Sequence, residues 1–205
     1  MSRKPKADPR IELIEMQTPF QGYFRIDRYR LKHRRFDGGW SGEINREVFE
    51  RGQAASVLPY DPLSDTVILI EQFRIGAYAA GLDPWLCEVV AGVVESGEDP
   101  AGVAGREAVE EAGCNIVSLV PIGKVLLSPG GCSEILHMYC GRVDSRGLGG
   151  LHGLDDEDED IRAFTLPRQE ALRRLADGAF VSAPAIMSLQ WLALNRERLL
   201  QQWLP

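Results

Sequence analysis

Residues 92–114 read GVVESGEDPAGVAGREAVEEAGC and contain both a helix start and a helix stop. Asp99 followed by Pro100 predicts the start, because an Asp side chain accepts free N–H groups and a proline ring presets helical φ. Gly113 predicts the end, since glycine adopts the left-handed conformation without strain. Between these caps, alanines at helical spacing form a narrow stripe that allows close packing against a sheet.

Three glutamates of this segment predict an acidic face on the helix. Glu107, Glu110 and Glu111 stand three and four residues apart, so they are neighbours on the helix surface. Glu107 and Glu111 fall at the edge of the alanine stripe, which predicts that they lie near the core. Clustered carboxylates repel each other, and hard cations that prefer oxygen ligands relieve this repulsion. The alternative is an acidic face that only contacts solvent, and the three glutamates alone favour it.

The composition indicates a soluble globular protein. The chain has 205 residues, 44% of them hydrophobic and 26% charged, with a formal net charge of -7. This length predicts one domain with a real core and room for a small appended element. The acidic balance argues against nucleic acid as the main partner. No apolar run approaches the roughly 20 residues that a membrane helix needs, so no membrane partner is expected.

The first ten residues and the thiols point to the cytoplasm. Residues 1–10, MSRKPKADPR, predict a disordered tail rather than a signal peptide. The cysteines lack paired metal-ligand spacing and are interpreted as thiols of a reducing compartment: Cys87, Cys114, Cys132 and Cys140. The histidines also lack ligand spacing, so zinc is not expected, and they are interpreted as surface or packing residues: His33, His137 and His152.

Residues 11–52 predict a small antiparallel β unit. A loosely alternating strand at 11–17 precedes a run of alternating apolar and basic residues at 23–34. Gly38-Gly39 predicts the turn into a third strand at 40–50. Three strands bury little apolar surface alone, so this unit is expected to pack on another surface.

Residues 53–205 predict a larger α/β unit with a mixed sheet and helices on its faces. Its strands are predicted at 54–59, 66–73, 85–91, 117–127, 135–143 and 161–166. After the acidic helix, two further helices are predicted at 167–177 and 184–200, with Ser182 as the cap of the last one.

The spacing within residues 92–114 resembles the signature of the Nudix hydrolases. Gly92 is followed after five residues by Glu98, and after seven more by the run Arg106 to Gly113, REAVEEAG. Nine positions at fixed spacing make this resemblance far more specific than a lone glycine motif. It implies the Nudix α/β/α sandwich, with the small N-terminal antiparallel β unit added to it. Ala108 and Cys114 stand where the family prefers larger aliphatic residues.

The resemblance extends beyond this signature to the ADP-ribose pyrophosphatases of the family. Residues 128–134, SPGGCSE, lie at the distance where those enzymes carry a proline marker. Further matching segments are REVFERG at 46–52, HGL at 152–154 and SLQWL at 188–192. The resemblance implies hydrolysis of ADP-ribose to AMP and ribose 5-phosphate, with Mg²⁺ as the cofactor and Mn²⁺ as a substitute.

The resemblance also implies a metal site and a general base. The implied metal ligands are Glu107, Glu111, Glu110, Glu159 and the carbonyl of Ala91. Glu157 is the implied base that activates the attacking water. Its segment, residues 155–160, consists only of Asp and Glu, and the alternative is a solvated acidic loop. The residues assigned structural roles in the signature are Gly92, Glu98, Arg106 and Gly113.

The implied substrate-binding residues lie outside the signature. Arg74 follows a strand, where its guanidinium could bind a phosphate, and the alternative is a surface ion pair. Arg46 and Glu47 are implied contacts to adenosine or phosphate, although Arg46 taken alone favours a solvated strand face. Tyr23 is an implied stacking surface for adenine, or else part of an ordinary interface. Ser133 and Glu134 are implied contacts to the terminal ribose, for which the alternative is a loop cap, and Ser128 is a further implied substrate-binding residue.

The resemblance implies a cytoplasmic homodimer in which the N-terminal strands are exchanged. Each dimerisation unit, residues 11–52, then supplies contacts to the catalytic unit of its partner, residues 53–205. Two alternatives stay open. One is hydrolysis of another nucleoside diphosphate sugar, such as GDP-mannose. The other is a sensor that binds ADP-ribose without cleaving it, against which the carboxylates Glu107, Glu111 and Glu157 argue.

Overall fold

A computed structural model describes residues 6–154 and 158–204. The chain divides into two compact units. One comprises the chain up to Gln53 together with Leu126–Ile135, and the other comprises Ala54–Val125 and the chain from Leu136 onwards. Residues 1–5 of the predicted tail lie outside the described residues, while Arg10 is hydrogen-bonded to Asp8 through its backbone and its guanidinium.

The first unit contains a three-stranded antiparallel sheet in the order β1-β2-β3. The strands are β1 (Ile11–Gln21), β2 (Arg25–His33) and β3 (Ile44–Glu50). Asp27 is fully buried, and it is compensated by Arg25 at 2.9 Å and by a hydrogen bond from Thr18 at 2.7 Å. This pairing explains why a charged residue is tolerated inside so small a unit.

The segment that contains the proline marker belongs to the first unit as well. The N–H of Phe49 donates to the carbonyl of Gly131 at 2.8 Å, and the N–H of Ser133 donates to the carbonyl of Phe49 at 3.1 Å. Backbone hydrogen bonds therefore hold residues 128–133 against the end of β3.

The second unit is built on an eight-stranded sheet. Its main path runs β10-β11-β5-β4-β9-β8, with β6 paired to β5 and β7 paired to β4. The strands are β4 (Gln53–Asp61), β5 (Thr66–Phe73), β6 (Trp85–Glu88), β7 (Val90–Val94), β8 (Ser118–Leu126), β9 (Ile135–Arg142), β10 (Gly150–His152) and β11 (Ile161–Pro167). The helices are α1 (Ile75–Ala79), α2 (Pro100–Ala112), α3 (Arg168–Ala176) and α4 (Ala183–Trp203).

Alternate residues of the central strands enter two different cores. In β5, Val67 and Leu69 join the core under α3 and α4, whereas Ile68 and Ile70 join the core under α2. Successive side chains of a strand point to opposite faces, so a strand that is apolar on both sides requires helices on both sides. The predicted α/β fold with a mixed sheet and helices on its faces is confirmed.

The caps of α2 follow the sequence prediction. The Asp99 side chain accepts a hydrogen bond from the N–H of Gly102 at 3.3 Å, and Gly113 ends the helix at φ 63°. Ala101, at the start of the alanine stripe, is partly buried, and the other three members are fully buried: Ala104, Ala108 and Ala112. Small side chains allow α2 to pack closely against β7, β10 and β11.

Three local predictions were incomplete. The single strand predicted at 85–91 is divided at Val89, because β6 pairs with β5 and β7 pairs with β4. Neither the short helix α1 nor the three-residue strand β10 was predicted. All four cysteines are free thiols, and none of the helices in residues 6–154 and 158–204 is long and apolar enough to cross a membrane.

Candidate active site

Glu111 is a buried carboxylate at the C-terminal half of α2. The residue is only 3% exposed, and its Oε2 accepts a hydrogen bond from the N–H of Ala91 at 3.0 Å. Burial raises the pKa of Glu111 to about 8, and the charges of Glu107 and Glu159 add to this rise. The Ala91 hydrogen bond and the positive charge of Arg74 act in the opposite direction. Such a displaced pKa marks a candidate functional site.

Gly92 provides the space for the Glu107 carboxylate. A Cβ atom at position 92 would lie 2.0 Å from Oε1 and 2.1 Å from Cδ of Glu107. Only a glycine therefore leaves the Glu107 carboxylate room to lie against the backbone of β7. The carbonyl of Ala91 belongs to the same stretch of backbone, so β7 contributes main-chain polar groups beside the glutamates.

Arg106 connects the remaining carboxylates of this face. Its Nη1 lies 3.0 Å from Oε1 of Glu107 and 3.0 Å from Oε2 of Glu110. Its Nη2 lies 3.9 Å from Oε1 of Glu98, which stands in the loop before α2. One guanidinium thus holds three carboxylates, two on the helix and one on the loop before it.

Arg74 stands directly before α1 and forms an ion pair. Its Nε donates to Oε2 of Glu88 at 2.6 Å. A surface ion pair was the alternative prediction for Arg74, and this pair is present. Glu88 was not recognised from the sequence, although it ends a strand just before the signature. Arg74 remains half-exposed, so its guanidinium keeps donors for an anion.

Glu159 lies at the far end of the acidic segment. It is partly buried, and its N–H donates to the carbonyl of Leu154 at 3.3 Å. Its charge contributes to the raised pKa of Glu111, which indicates that the two carboxylates are near each other. The candidate base Glu157 lies outside the described residues, together with Asp155 and Asp156.

The other predicted binding residues belong to the first unit. Tyr23 is 91% exposed and contacts Phe24 edge to face, with ring centroids 4.8 Å apart. Glu47 forms an exposed ion pair with Arg28 at 3.0 Å. Arg46 lies next to it on β3, and its Nη1 donates to the carbonyl of Asn45. Tyr23 in particular presents an aromatic face to solvent, as a stacking residue requires.

The residues of the proline marker have partners of their own. The Oγ of Ser133 donates to the carbonyl of Phe49 at 3.3 Å. Glu134 is buried and lies 3.2 Å from Nε of Arg51. The carbonyl of Ser128 accepts the N–H groups of Gly131 and Cys132, which closes the turn. These contacts match the loop-cap alternative and leave any role in substrate binding untested.

The carboxylates of α2 and Glu159 fit a hard divalent cation. Glu107, Glu111 and Glu159 present only oxygen donors, and burial, followed by the charges of Glu107 and Glu159, raises the pKa of Glu111. Within residues 6–154 and 158–204, however, no three acidic, His or Cys side chains already converge as a metal site. The Glu107 and Glu110 carboxylates contact Arg106 instead, so they must turn from it to bind a cation.

The family model for the NUDIX domain matches residues 50–188. The chain belongs to the Nudix family. The Nudix residues described above, from Gly92 to Gly113, lie inside the matched range. The match also includes the acidic segment and most of the second unit.

Three curated relatives are two ADP-ribose pyrophosphatases and one GDP-mannose pyrophosphatase. The chain is 45% identical to the ADP-ribose pyrophosphatase of Escherichia coli (strain K12) over 193 residues, which cover 94% of this chain and 92% of the relative. It is 43% identical to the ADP-ribose pyrophosphatase of Haemophilus influenzae over 196 residues, 94% of this chain and 90% of the relative. It is 34% identical to the GDP-mannose pyrophosphatase of Pectobacterium atrosepticum over 181 residues, 88% of this chain and 92% of the relative.

A solved structure shows the same fold at lower identity. It is described as an ADP compounds hydrolase and superposes with a TM-score of 0.70 at 20% identity. The match covers 97% of this chain and 99% of the other. At this identity the comparison supports the Nudix fold alone.

Proposed function

We propose that this Nudix protein hydrolyses the pyrophosphate linkage of ADP-ribose and releases AMP and ribose 5-phosphate in a reaction that depends on Mg²⁺. The observation that carries this proposal is the buried Glu111 carboxylate, hydrogen-bonded to the N–H of Ala91 and placed beside Glu107. The choice of substrate is supported by 45% identity to an ADP-ribose pyrophosphatase, against 34% to a GDP-mannose pyrophosphatase.

The carboxylates of α2 would hold Mg²⁺, which supplies positive charge against the phosphoryl oxygens. The proposed ligands are Glu107, Glu110, Glu111, Glu159 and the carbonyl of Ala91. Arg106 keeps the glutamates in register through its contacts with Glu107, Glu110 and Glu98. This bracing role requires no proton transfer from Arg106.

Two side chains are assigned direct roles in the reaction, one on the substrate and one on the attacking water. Arg74 binds a phosphate oxygen, because its half-exposed guanidinium retains donors besides the one directed at Glu88. Glu157 takes the proton from the attacking water while that oxygen bonds to phosphorus and the bridging P–O bond breaks. The second phosphate leaves with the bridging oxygen.

We further propose a cytoplasmic homodimer in which residues 11–52 pack on the partner's catalytic unit, residues 53–205. The support is the exposed Tyr23 ring on a thin three-stranded sheet, which needs a covering surface. In this arrangement Tyr23 stacks on adenine, while Arg46 and Glu47 bind the adenosine or its phosphate. Ser133 and Glu134 are assigned to the terminal ribose, and Ser128 is a further substrate-binding residue.

The proposal is tested with a panel of nucleoside diphosphate sugars and dinucleotides in the presence of Mg²⁺. Added phosphatase releases inorganic phosphate only from the monophosphate products, so hydrolysis is read directly. We expect the highest kcat/KM for ADP-ribose. A higher kcat/KM for GDP-mannose would instead support hydrolysis of GDP-mannose, the activity in the name of the relative at 34% identity. Tight binding of ADP-ribose in calorimetry without phosphate release would instead identify a sensor.

A further inference from the structure

Residues 152–154, HGL, directly precede the acidic segment in sequence and contact the end of α2, the helix that carries the metal candidates. His152 is the last residue of β10 and pairs with Ile161, the first residue of β11. Residues 153–160 therefore connect two paired strands, and the acidic segment lies within this connection. Two contacts of adjacent residues, one of His152 and one of Gly153, set the geometry where this connection begins.

The first contact is between His152 and the C-terminal cap of α2. Gly113 ends the helix in the left-handed region at φ 63°, and its N–H donates to the carbonyl of Val109 at 3.0 Å. A Cβ atom at position 113 would lie 3.0 Å from Cε1 and 3.7 Å from Nε2 of His152. The imidazole therefore packs against the bare face of this glycine.

The second contact is between Gly153 and Glu159. Gly153 has φ 106°, and a Cβ there would lie 2.5 Å from the carbonyl oxygen and 2.8 Å from Cβ of Glu159. The clash involves backbone rather than the end of a flexible side chain, so the chain itself would have to move. The N–H of Glu159 also donates to the carbonyl of Leu154 at 3.3 Å. Gly153 and Glu159 are thus in direct contact.

We infer that His152 and Gly153 are positioning residues, which fix Glu159 relative to the glutamates of α2. His152 attaches the start of this connection to the end of α2 through Gly113, and Gly153 permits the close approach of Glu159. Neither residue touches the substrate in this inference. The inference rests on the proposed function in one respect only, namely that Glu159 serves the metal site.

The matched pair Gly153→Ala and Gly150→Ala isolates the contact with Glu159. Both glycines are left-handed, with φ 106° and φ 110°, so alanine imposes similar backbone strain at each. No atom lies within 4 Å of a Cβ at Gly150, whereas a Cβ at Gly153 meets Glu159. A difference between the two variants therefore reports the contact and not the strain.

We expect Gly153→Ala to lower kcat roughly 10²-fold relative to Gly150→Ala, as a misplacement of about 1 Å does in other active sites. KM for ADP-ribose should change little. Mn²⁺ affinity, measured by electron paramagnetic resonance without substrate, should fall by at least about 10-fold in Gly153→Ala relative to Gly150→Ala. Equal kcat and equal Mn²⁺ affinity in the two variants would overturn the inference.

The Mn²⁺ measurement keeps this inference separate from the proposed function. If the wild-type protein binds Mn²⁺ but leaves ADP-ribose intact, the proposed function fails. A weakened Mn²⁺ site in Gly153→Ala would still support the positioning role in that case. If wild type hydrolyses ADP-ribose and Gly153→Ala matches Gly150→Ala, only the positioning role fails.

A double-mutant cycle tests the His152 contact. Gly113→Ala places a methyl group against the imidazole, and His152→Ala in the same chain removes the obstacle. We expect each single variant to lose kcat and Mn²⁺ affinity and the double variant to lose no more than the more impaired single variant, because both substitutions disrupt the same contact. Gly178→Ala is the control for strain, because Gly178 has φ 75° and no atom within 4 Å of its Cβ position. Strictly additive losses would show that His152 does not act through Gly113.

Discussion

The carboxylate of Glu107 occupies the space in which any residue other than glycine at position 92 would place its Cβ. Oε1 of Glu107 lies 2.0 Å from that position, and Cγ lies 2.5 Å from it. The obstructing atoms are the end of a flexible side chain, so a larger residue would turn Glu107 away rather than unfold the protein.

Gly92→Ala should therefore impair activity far more than stability. We expect kcat to fall by roughly 10²-fold or more, because one metal candidate is misplaced. The melting temperature should drop by only a few degrees. Gly105→Ala on α2, the helix that carries Glu107, is the control, since no atom lies within 4 Å of its Cβ position. A helical alanine there should stabilise the fold by up to about 1 kcal/mol. Near-normal kcat for Gly92→Ala would refute the importance of this contact.

Glu111→Gln should abolish hydrolysis and leave the fold intact. The substitution preserves shape but removes one charge from the proposed metal ligands. Burial raises the pKa of Glu111 to about 8, so at pH 6 in metal-free buffer the native side chain is largely protonated and resembles glutamine. The melting temperatures of the two proteins should then coincide. Turnover close to wild type at saturating Mg²⁺ would exclude Glu111 from the metal site.

Asp65 links the β4–β5 turn to both C-terminal helices and should make the fold sensitive to acid. Its carboxylate accepts hydrogen bonds from Nε of Arg168 at 2.8 Å and Nε of Arg196 at 2.9 Å. The Tyr60 hydroxyl donates to it at 2.7 Å. Burial raises the pKa of Asp65, but the hydrogen bonds from two arginines and a tyrosine outweigh burial and hold this pKa well below its usual range.

A carboxyl with a lower pKa in the folded chain stabilises the fold above its unfolded-state pKa of about 3.9, and this contribution is lost as pH falls further. Asp65→Asn should lower the free energy of unfolding at pH 7 by about 1–3 kcal/mol, with solvent screening included. The difference from wild type should shrink between about pH 4 and pH 2. Asp144→Asn should show a much smaller dependence in urea titrations, because its ion pair with Arg146, which also lowers the pKa of Asp144, is exposed and screened by solvent. A constant difference across this range would contradict the linkage.

Glu157→Gln should lower kcat by roughly 10²- to 10⁴-fold with little change in KM, because proton removal from water belongs to the transition state. Asp155→Asn and Asp156→Asn should have much smaller effects, since they only reduce the charge of the segment. Glu159→Gln should raise the Mg²⁺ concentration required for half-maximal rate. Four equal, modest effects that salt abolishes would indicate a solvated loop, and the base would then be sought among the glutamates of α2.

Mixing two inactive variants should restore activity if the N-terminal units are exchanged. Arg46→Ala impairs the first unit, whereas Glu111→Gln impairs the second. A mixed dimer has one site in which both residues are native, so an equimolar mixture should reach roughly a quarter of wild-type activity. Recovery should depend on subunit exchange, which brief mild denaturation accelerates. If the mixture stays inactive while native mass spectrometry shows mixed dimers, each site is built within one chain.

Local chemistry in the sequence was sufficient to predict α2 and much of the sheet. The start at Asp99-Pro100, the end at Gly113 and the buried alanine stripe depend on residues within a few turns of each other. The strand at Thr66–Phe73 was predicted with the bounds that the structure shows, because an apolar run flanked by turn residues is a local signal. The Nudix signature likewise depends on spacing along one segment.

Long-range contacts, in contrast, appear only in the folded chain. The division of residues 85–94 into β6 and β7 depends on which neighbouring strand each half pairs with. The hydrophobic periodicity within the segment does not indicate that neighbour. The same holds for Asp65, whose arginine partners are more than 100 residues away along the chain. The sequence could mark His152 and Gly153 as a matching segment, but only the tertiary structure brings them against Gly113 and Glu159, because such contacts arise where elements distant in sequence pack together.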